Sequence, residues 1–115
     1  MTYIHPDVPG ILEIEHEITI KNTDEFRERM EKFLLESGSS LILDLDKVMY
    51  LNSSALGIIA HSAMSAKQHN KELVIAGIKP PINEIFEIVK FNAFMELFAT
   101  RQEALEYFNH QEPKR

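Results

Sequence analysis

The sequence predicts a single α/β domain over residues 1–115, with a mixed central sheet of four to five strands and about four helices packed mainly on one side. Three observations carry this expectation. Residues 41–45 and 72–78 are short runs rich in Leu, Ile and Val, as in strands covered on both faces. Residues 23–36 and 53–69 place apolar side chains at helical spacing between and after those strands. A chain of 115 residues that is 44% apolar has enough material for one core and too little for two.

Residues 11–18 alternate, with Leu12, Ile14 and Ile18 sharing one face with His16 while Glu13, Glu15 and Glu17 share the other. They predict a strand of antiparallel character with one dry and one wet face, after a turn over Pro6 to Gly10. The first helix spans 23–36, capped by Thr23 or Asp24, with Phe26, Met30, Phe33 and Leu34 as its inner stripe. Ser37-Gly38-Ser39-Ser40 ends it and leads into the strand at 41–45. A second helix runs from Ser53 to His69 on the stripe Leu56, Ile59, Ala60, Ala63 and Ala66 or Met64. After the strand at 72–78, Pro80 and Pro81 open a third helix with Ile85, Ile88 and Val89 facing inward. A short strand near Met95 to Phe98 and a helix from Arg101 to Phe108 complete the domain. Helices alternating with strands imply parallel crossovers, and function in such sheets tends to sit on loops leaving the carboxyl ends of strands. The loop from Asp46 to Ser53 leaves such an end.

Composition narrows the function classes. A net charge of −6 with scattered Lys and Arg disfavours a nucleic-acid partner. No apolar run is long enough to span a bilayer, so membrane insertion is not expected. The first residues lack the basic start and apolar stretch of a secretory signal, and a cytoplasmic location is the expectation. With no cysteine there is no disulfide or thiolate metal site. The chain carries no Gly-x-Ser-x-Gly elbow, P-loop or cofactor fingerprint, so neither an enzyme nor a cofactor is expected.

The most informative stretch is 41–57, which reads as a buried strand, a loop and a helix starting on Ser53 and Ser54. A hydroxyl at a helix N-terminus can cap free backbone N–H groups, or it can receive a phosphate that the helix dipole tolerates. Within this stretch Leu43-Asp44-Leu45 precedes Asn52-Ser53-Ser54-Ala55-Leu56-Gly57, and a strand, Pro-Pro and an amphipathic helix follow from Glu72. In these features the chain resembles the STAS domain family, the anti-sigma factor antagonists and their relatives, over nearly its whole length. Family members carry Asp-Ser-Ser/Thr-Gly-Leu-Gly at the helix start. Here Asn52 stands for the Asp, Ala55 for the first Gly, and Thr19 for a second Asp that often follows an upstream strand.

The resemblance implies a STAS-like domain whose phosphoacceptor is Ser53, the serine after the motif's acid, with Ser54 as fallback. It implies as partners an anti-sigma factor that is a serine kinase of the ATP-binding type, and a cognate phosphatase. The unphosphorylated form would bind the kinase through the loop carrying Tyr50, Asn52, Ser54 and Ala55, flanked by Lys47, Asn22 and Thr19. The alternative is a constitutive STAS adaptor or scaffold in a signalling or lipid-transport complex, with Asn52 and Thr19 marking a lost switch. An enzyme would need a pocket beside Ser53 lined by His or acidic groups.

Other polar residues have simpler expected roles. Asp44 and Asp46 share a strand face near its end, where hydrogen bonding to the neighbouring loop is favoured over magnesium for want of further oxygen ligands. His61, Ser65 and His69 form a solvated helix face rather than a metal site. His16 is expected to be partly buried and hydrogen-bonded, and Glu13, Glu15 and Glu17 to keep a strand face soluble. Phe91, Phe94, Phe98 and Phe108 are expected to fill core.

Overall fold

The computed structural model describes residues 8–93 and 95–110. The elements are β1 (Gly10–Glu13), α1 (Thr23–Glu36), β2 (Ser40–Asp44), α2 (Ser53–Gln68), β3 (Glu72–Ala76), α3 (Ile82–Ile88), a 3-10 turn (Phe91–Ala93) and α4 (Arg101–Asn109). The strands lie in the order β1-β2-β3. Both pairings are parallel, with Leu12 opposite Leu43 and Leu43 opposite Ile75.

Among the described residues the sheet therefore has three strands rather than four to five, and it is parallel rather than mixed. The expected strand at 11–18 ends early, because the chain leaves the sheet after Glu13. Ile14 stays buried, Glu15, His16 and Glu17 face solvent on a loop, and Ile18 returns to make a single parallel bridge with Leu51. Alternation in sequence thus reflects two buried isoleucines flanking a solvated loop, and α1 is the crossover that makes β2 parallel to β1. His16 is exposed rather than partly buried. The turn expected over Pro6 to Gly10 falls partly outside the described residues, and Gly10 already belongs to β1. The expected strand at Met95 to Phe98 reduces to one parallel bridge between Ile75 and Leu97.

Strand alternation divides the core in two. Leu41, Leu43, Leu73 and Ile75 point toward α1, α2 and α3, where Phe26, Met30, Ile59 and Phe86 are fully or almost fully buried. Ile42, Val74 and Ala76 point the other way onto α4, against Ala104 with Phe98, Leu105, Tyr107 and Phe108 packed beside them. Three helices on one face and one short helix on the other explain why β2 and β3 read as apolar on both sides. Phe91 is buried and Phe98 and Phe108 are half-buried, while Phe94 lies outside the described residues.

Two helical faces differ from expectation. The buried stripe of α2 is Ala55, Ile58, Ile59, Ser62, Ala63 and Ala66; Leu56 and Ala60 flank it and Met64 is exposed. In α3 the inner face is Ile82 and Phe86 with Ile85 beside them. Ile88 and Val89 are exposed, because Ile88 lies well around the helix from Ile82 and Val89 is the residue on which the helix ends.

Candidate functional site

Helix α2 begins with its N-terminus directed at the loop joining β2 to it. Its N-cap is Asn52, in an extended conformation, whose Oδ1 accepts the backbone N–H of Ala55 at 2.8 Å. Of the two roles the sequence left open for Ser53, this bond removes the cap: Ser53 is the first helical residue. The amide carries its acceptor and its donor on two separate atoms. While Oδ1 caps α2, Nδ2 donates to Thr23 Oγ1 at 3.0 Å, and Thr23 in turn donates to the carbonyl of Thr19 at 2.6 Å. The starts of α1 and α2 are thereby joined by a directional relay, Asn52 to Thr23 to Thr19.

Asn22 completes the neighbourhood from the other helix. Its Oδ1 accepts from the Thr19 N–H at 2.8 Å and its Nδ2 donates to the Glu17 carbonyl at 2.9 Å. Asn22 occupies the N-cap position of α1 without a side-chain cap bond, and Thr23 is the first helical residue rather than the cap. Backbone bonds from Ile18 N–H to the Tyr50 carbonyl and from Asn52 N–H to the Ile18 carbonyl lock the two loops together. Of the sequence-expected site residues, Thr19, Asn22, Asn52 and Ala55 are thus joined through hydrogen bonds and Tyr50 through its carbonyl. Ala55 is wholly buried in the core, so it contributes its N–H to the cap and presents no side chain at the surface. Lys47 is drawn elsewhere, 3.6 Å from Glu13. Thr23 was missed by sequence reasoning; its only signal was a hydroxyl at a helix start, which read as an ordinary cap.

The hydroxyls of Ser53 and Ser54 are exposed and make no hydrogen bond to any other described residue. No acidic side chain lies in the first turn of α2. Around this polar centre stand exposed apolar side chains: Ile20 at 90% exposure, Met49 at 54% and Tyr50 at 50%. They belong to the same two loops that carry Thr19, Asn22 and Asn52.

A second, charged cluster occupies the carboxyl ends of β1 and β2. The Asp44 carboxylate is buried, accepting Arg101 Nε at 2.8 Å and the Asp46 N–H at 3.0 Å. Arg101 also lies 3.6 Å from Glu13, and Asp46 pairs with Lys79 at 2.9 Å. Gly77, at φ +79, passes directly against Asp46, where a Cβ would overlap its backbone. The strand-end hydrogen bonding expected of Asp44 and Asp46 is present, and no group of residues able to hold a metal occurs among the described residues.

An open groove of about 420 Å³ runs between α1 and α2, lined among others by Arg27, Glu31, Ser54, His61 and Ser62. It does not assemble a nucleophile with its base: at about 1.5 Å per residue, His61 lies roughly 10 Å along α2 from Ser54 and 12 Å from Ser53. No helix among the described residues is long and apolar enough to cross a membrane.

Comparison with known proteins agrees with this architecture. A model of the STAS domain matches residues 1–104. The chain is 28% identical over 81 residues to the anti-sigma-B factor antagonist of Listeria monocytogenes, covering 70% of this chain and 71% of that protein. Its fold is similar to that of an anti-sigma factor antagonist from Mycobacterium paratuberculosis, with a TM-score of 0.81 at 17% identity over 92% of this chain and 90% of the other. It is also similar to the Bacillus cell fate determinant SpoIIAA in its phosphorylated form, with a TM-score of 0.66 at 12% identity over 91% and 95% of the two chains.

Proposed function

The chain belongs to the STAS domain family, and on that premise we propose that it is a phosphorylation-switched regulatory binding protein of the anti-sigma factor antagonist kind. It docks a cognate serine kinase of the ATP-binding, anti-sigma type, Ser53 is the phosphoacceptor, and a phosphatase resets it. One observation carries the reading. Asn52 caps α2, which leaves the Ser53 hydroxyl exposed and uncommitted at a helix start whose dipole favours an added anion. The Asn in place of the family's Asp supports the reading by keeping the cap while its second hydrogen bond holds the loop to Thr23.

In the transfer step the Ser53 oxygen attacks the γ-phosphorus of kinase-bound ATP, the proton passes to a base of the kinase, and ADP leaves. The base is assigned to the kinase because, among the described residues, the first turn of α2 carries no acidic side chain and His61 lies roughly 12 Å along the helix from Ser53. Before transfer the docking face is neutral at its centre and apolar at Ile20, Met49 and Tyr50. A phosphate adds about −1.5 to −2 charges there. Burying that group against an apolar partner surface costs more than leaving it in water, so docking weakens.

The experiment is phosphopeptide mapping of the protein from its own cells, joined to binding of the purified kinase by Ser53→Ala and Ser53→Asp variants. Phosphate on Ser53, constitutive binding by the Ala variant and binding at least about tenfold weaker by the Asp variant are expected. A folded Ser53→Ala protein that does not bind the kinase would sink the switch. Equal binding by all three proteins would instead favour the constitutive adaptor.

A further inference from the structure

We infer that Ser54 is a second phosphoacceptor, whose phosphate Arg27 holds within the chain across the α1–α2 groove. The Thr23–Asn52 hydrogen bond fixes the register of the two helix starts. Arg27 lies one turn further along α1 and Ser54 two residues further along α2, and both line the same groove, whose lining does not include Ser53. The two serines are adjacent in sequence but open onto different surroundings.

Three features suit the groove to an anion at its Ser54 end. Arg27 is tethered only lightly, for its carboxylate partner Asp24, at 2.7 Å, is 93% exposed. Surface pairs of this kind contribute little, so a phosphate dianion in reach displaces the carboxylate with stronger, charge-assisted hydrogen bonds. The backbone N–H groups of Ser53 and Ser54 are first-turn donors with no intrahelical acceptor. The groove is also under-filled next to Ser54, for nothing lies within 4 Å of where a Cβ on Gly57, three residues further along α2, would stand. Glu31, which also lines the groove, opposes an anion, but it lies a full turn beyond Arg27 on α1.

Phosphate on Ser53 would face a partner, whereas phosphate on Ser54 would fold back and tie α2 to α1. The inference rests on the proposed function only in needing a serine kinase that reaches the start of α2. Its test bypasses that kinase. Phosphoserine is installed during translation at position 53 or 54, each in the wild-type chain and with Arg27→Gln, a change at a half-exposed residue that leaves the core untouched. We expect the position-54 protein to melt about 3–5 °C above the position-53 protein. Its phosphorus resonance should titrate at lower pH by roughly half a unit, and Arg27→Gln should abolish both differences. Equal melting and titration at the two positions, or differences that survive Arg27→Gln, would overturn the clasp even if the Ser53 switch is sound. Peptide mapping of protein from its own cells supplies the last arm: fragment ions placing phosphate on Ser54 are expected, and their absence in every growth state would overturn Ser54 as an acceptor.

Discussion

Two hydrogen-bonded clusters sit on the loops at the carboxyl end of the sheet, and they are built in opposite ways. The one joining α4 to the sheet is ionic and closed: Asp44, Arg101, Glu13, Asp46, Lys79 and Lys47 are all paired. The one joining α1 to α2 is neutral and open, a relay of Asn52, Thr23 and Thr19 that ends beside two serine hydroxyls with no partner among the described residues. The ionic cluster spends its charges on holding elements together. The neutral cluster holds its loops with dipoles alone, so a phosphate would be the first full charge in the opening turn of α2. A switch works by contrast with its resting state, and a neutral resting state gives one added dianion the largest effect on docking.

The largest expected effects come from breaking the closed cluster. Gly77→Ala forces a Cβ into the Asp46 backbone at a positive φ and should cost about 3 kcal/mol or more, read as a lowered urea midpoint. Arg101→Ala removes the main partner of a carboxylate that is 4% exposed and should cost about 2–3 kcal/mol, discounted because Arg101 itself is 42% exposed. Neither change touches the relay, so the phosphorylation proposed for Ser53 should persist in either variant at temperatures where the protein stays folded. Loss of Ser53 phosphorylation in folded Arg101→Ala would join the two clusters into one and end the contrast.

The fold was legible in sequence wherever a local rule was enough. Buried strands at 41–45 and 72–78 and helices at 23–36 and 53–69 all stand within a few residues of expectation. What failed depended on partners far along the chain. Alternation at 11–18 could not show that the sheet ends at Glu13, because that is decided by pairing with β2 some thirty residues on. The site was legible as a helix start bearing serines, but whether Ser53 capped it was left open, and the cap is Asn52 one residue earlier. Ser and Asn are about equally good caps, and the contest is settled by Thr23, which only the fold brings to Asn52. Arg101 was invisible as a partner of Asp44 for the same reason, lying 57 positions further along the chain.

Smaller effects probe the open cluster. Asn52→Ala removes the cap and the donor to Thr23 and should cost about 1–2 kcal/mol. Asn52→Asp is more discriminating. It keeps the cap on Ala55 but offers no donor, so Thr23 must turn its hydroxyl toward the new carboxylate and abandon the Thr19 carbonyl. The expected loss is about 0.5–1 kcal/mol, the scale of one partly exposed hydrogen bond. Thr23→Val added to Asn52→Asp should then be less than additive, which a double-mutant cycle measures directly.

The smallest effect is the most telling. Ser53→Ala should leave the unfolding free energy within about 0.5 kcal/mol of wild type, because the hydroxyl makes no hydrogen bond to a described residue. If Ser53 were the cap, the same change would cost about 1 kcal/mol and Asn52→Ala would cost little. The two substitutions therefore form a crossed pair, each predicting the other's magnitude. A stabilising role for Ser53 would mean that phosphorylation disturbs the helix start as well as the docking face. A silent Ser53→Ala means that the serine is held in place by its neighbours while contributing nothing to them, so its hydroxyl remains available for chemistry.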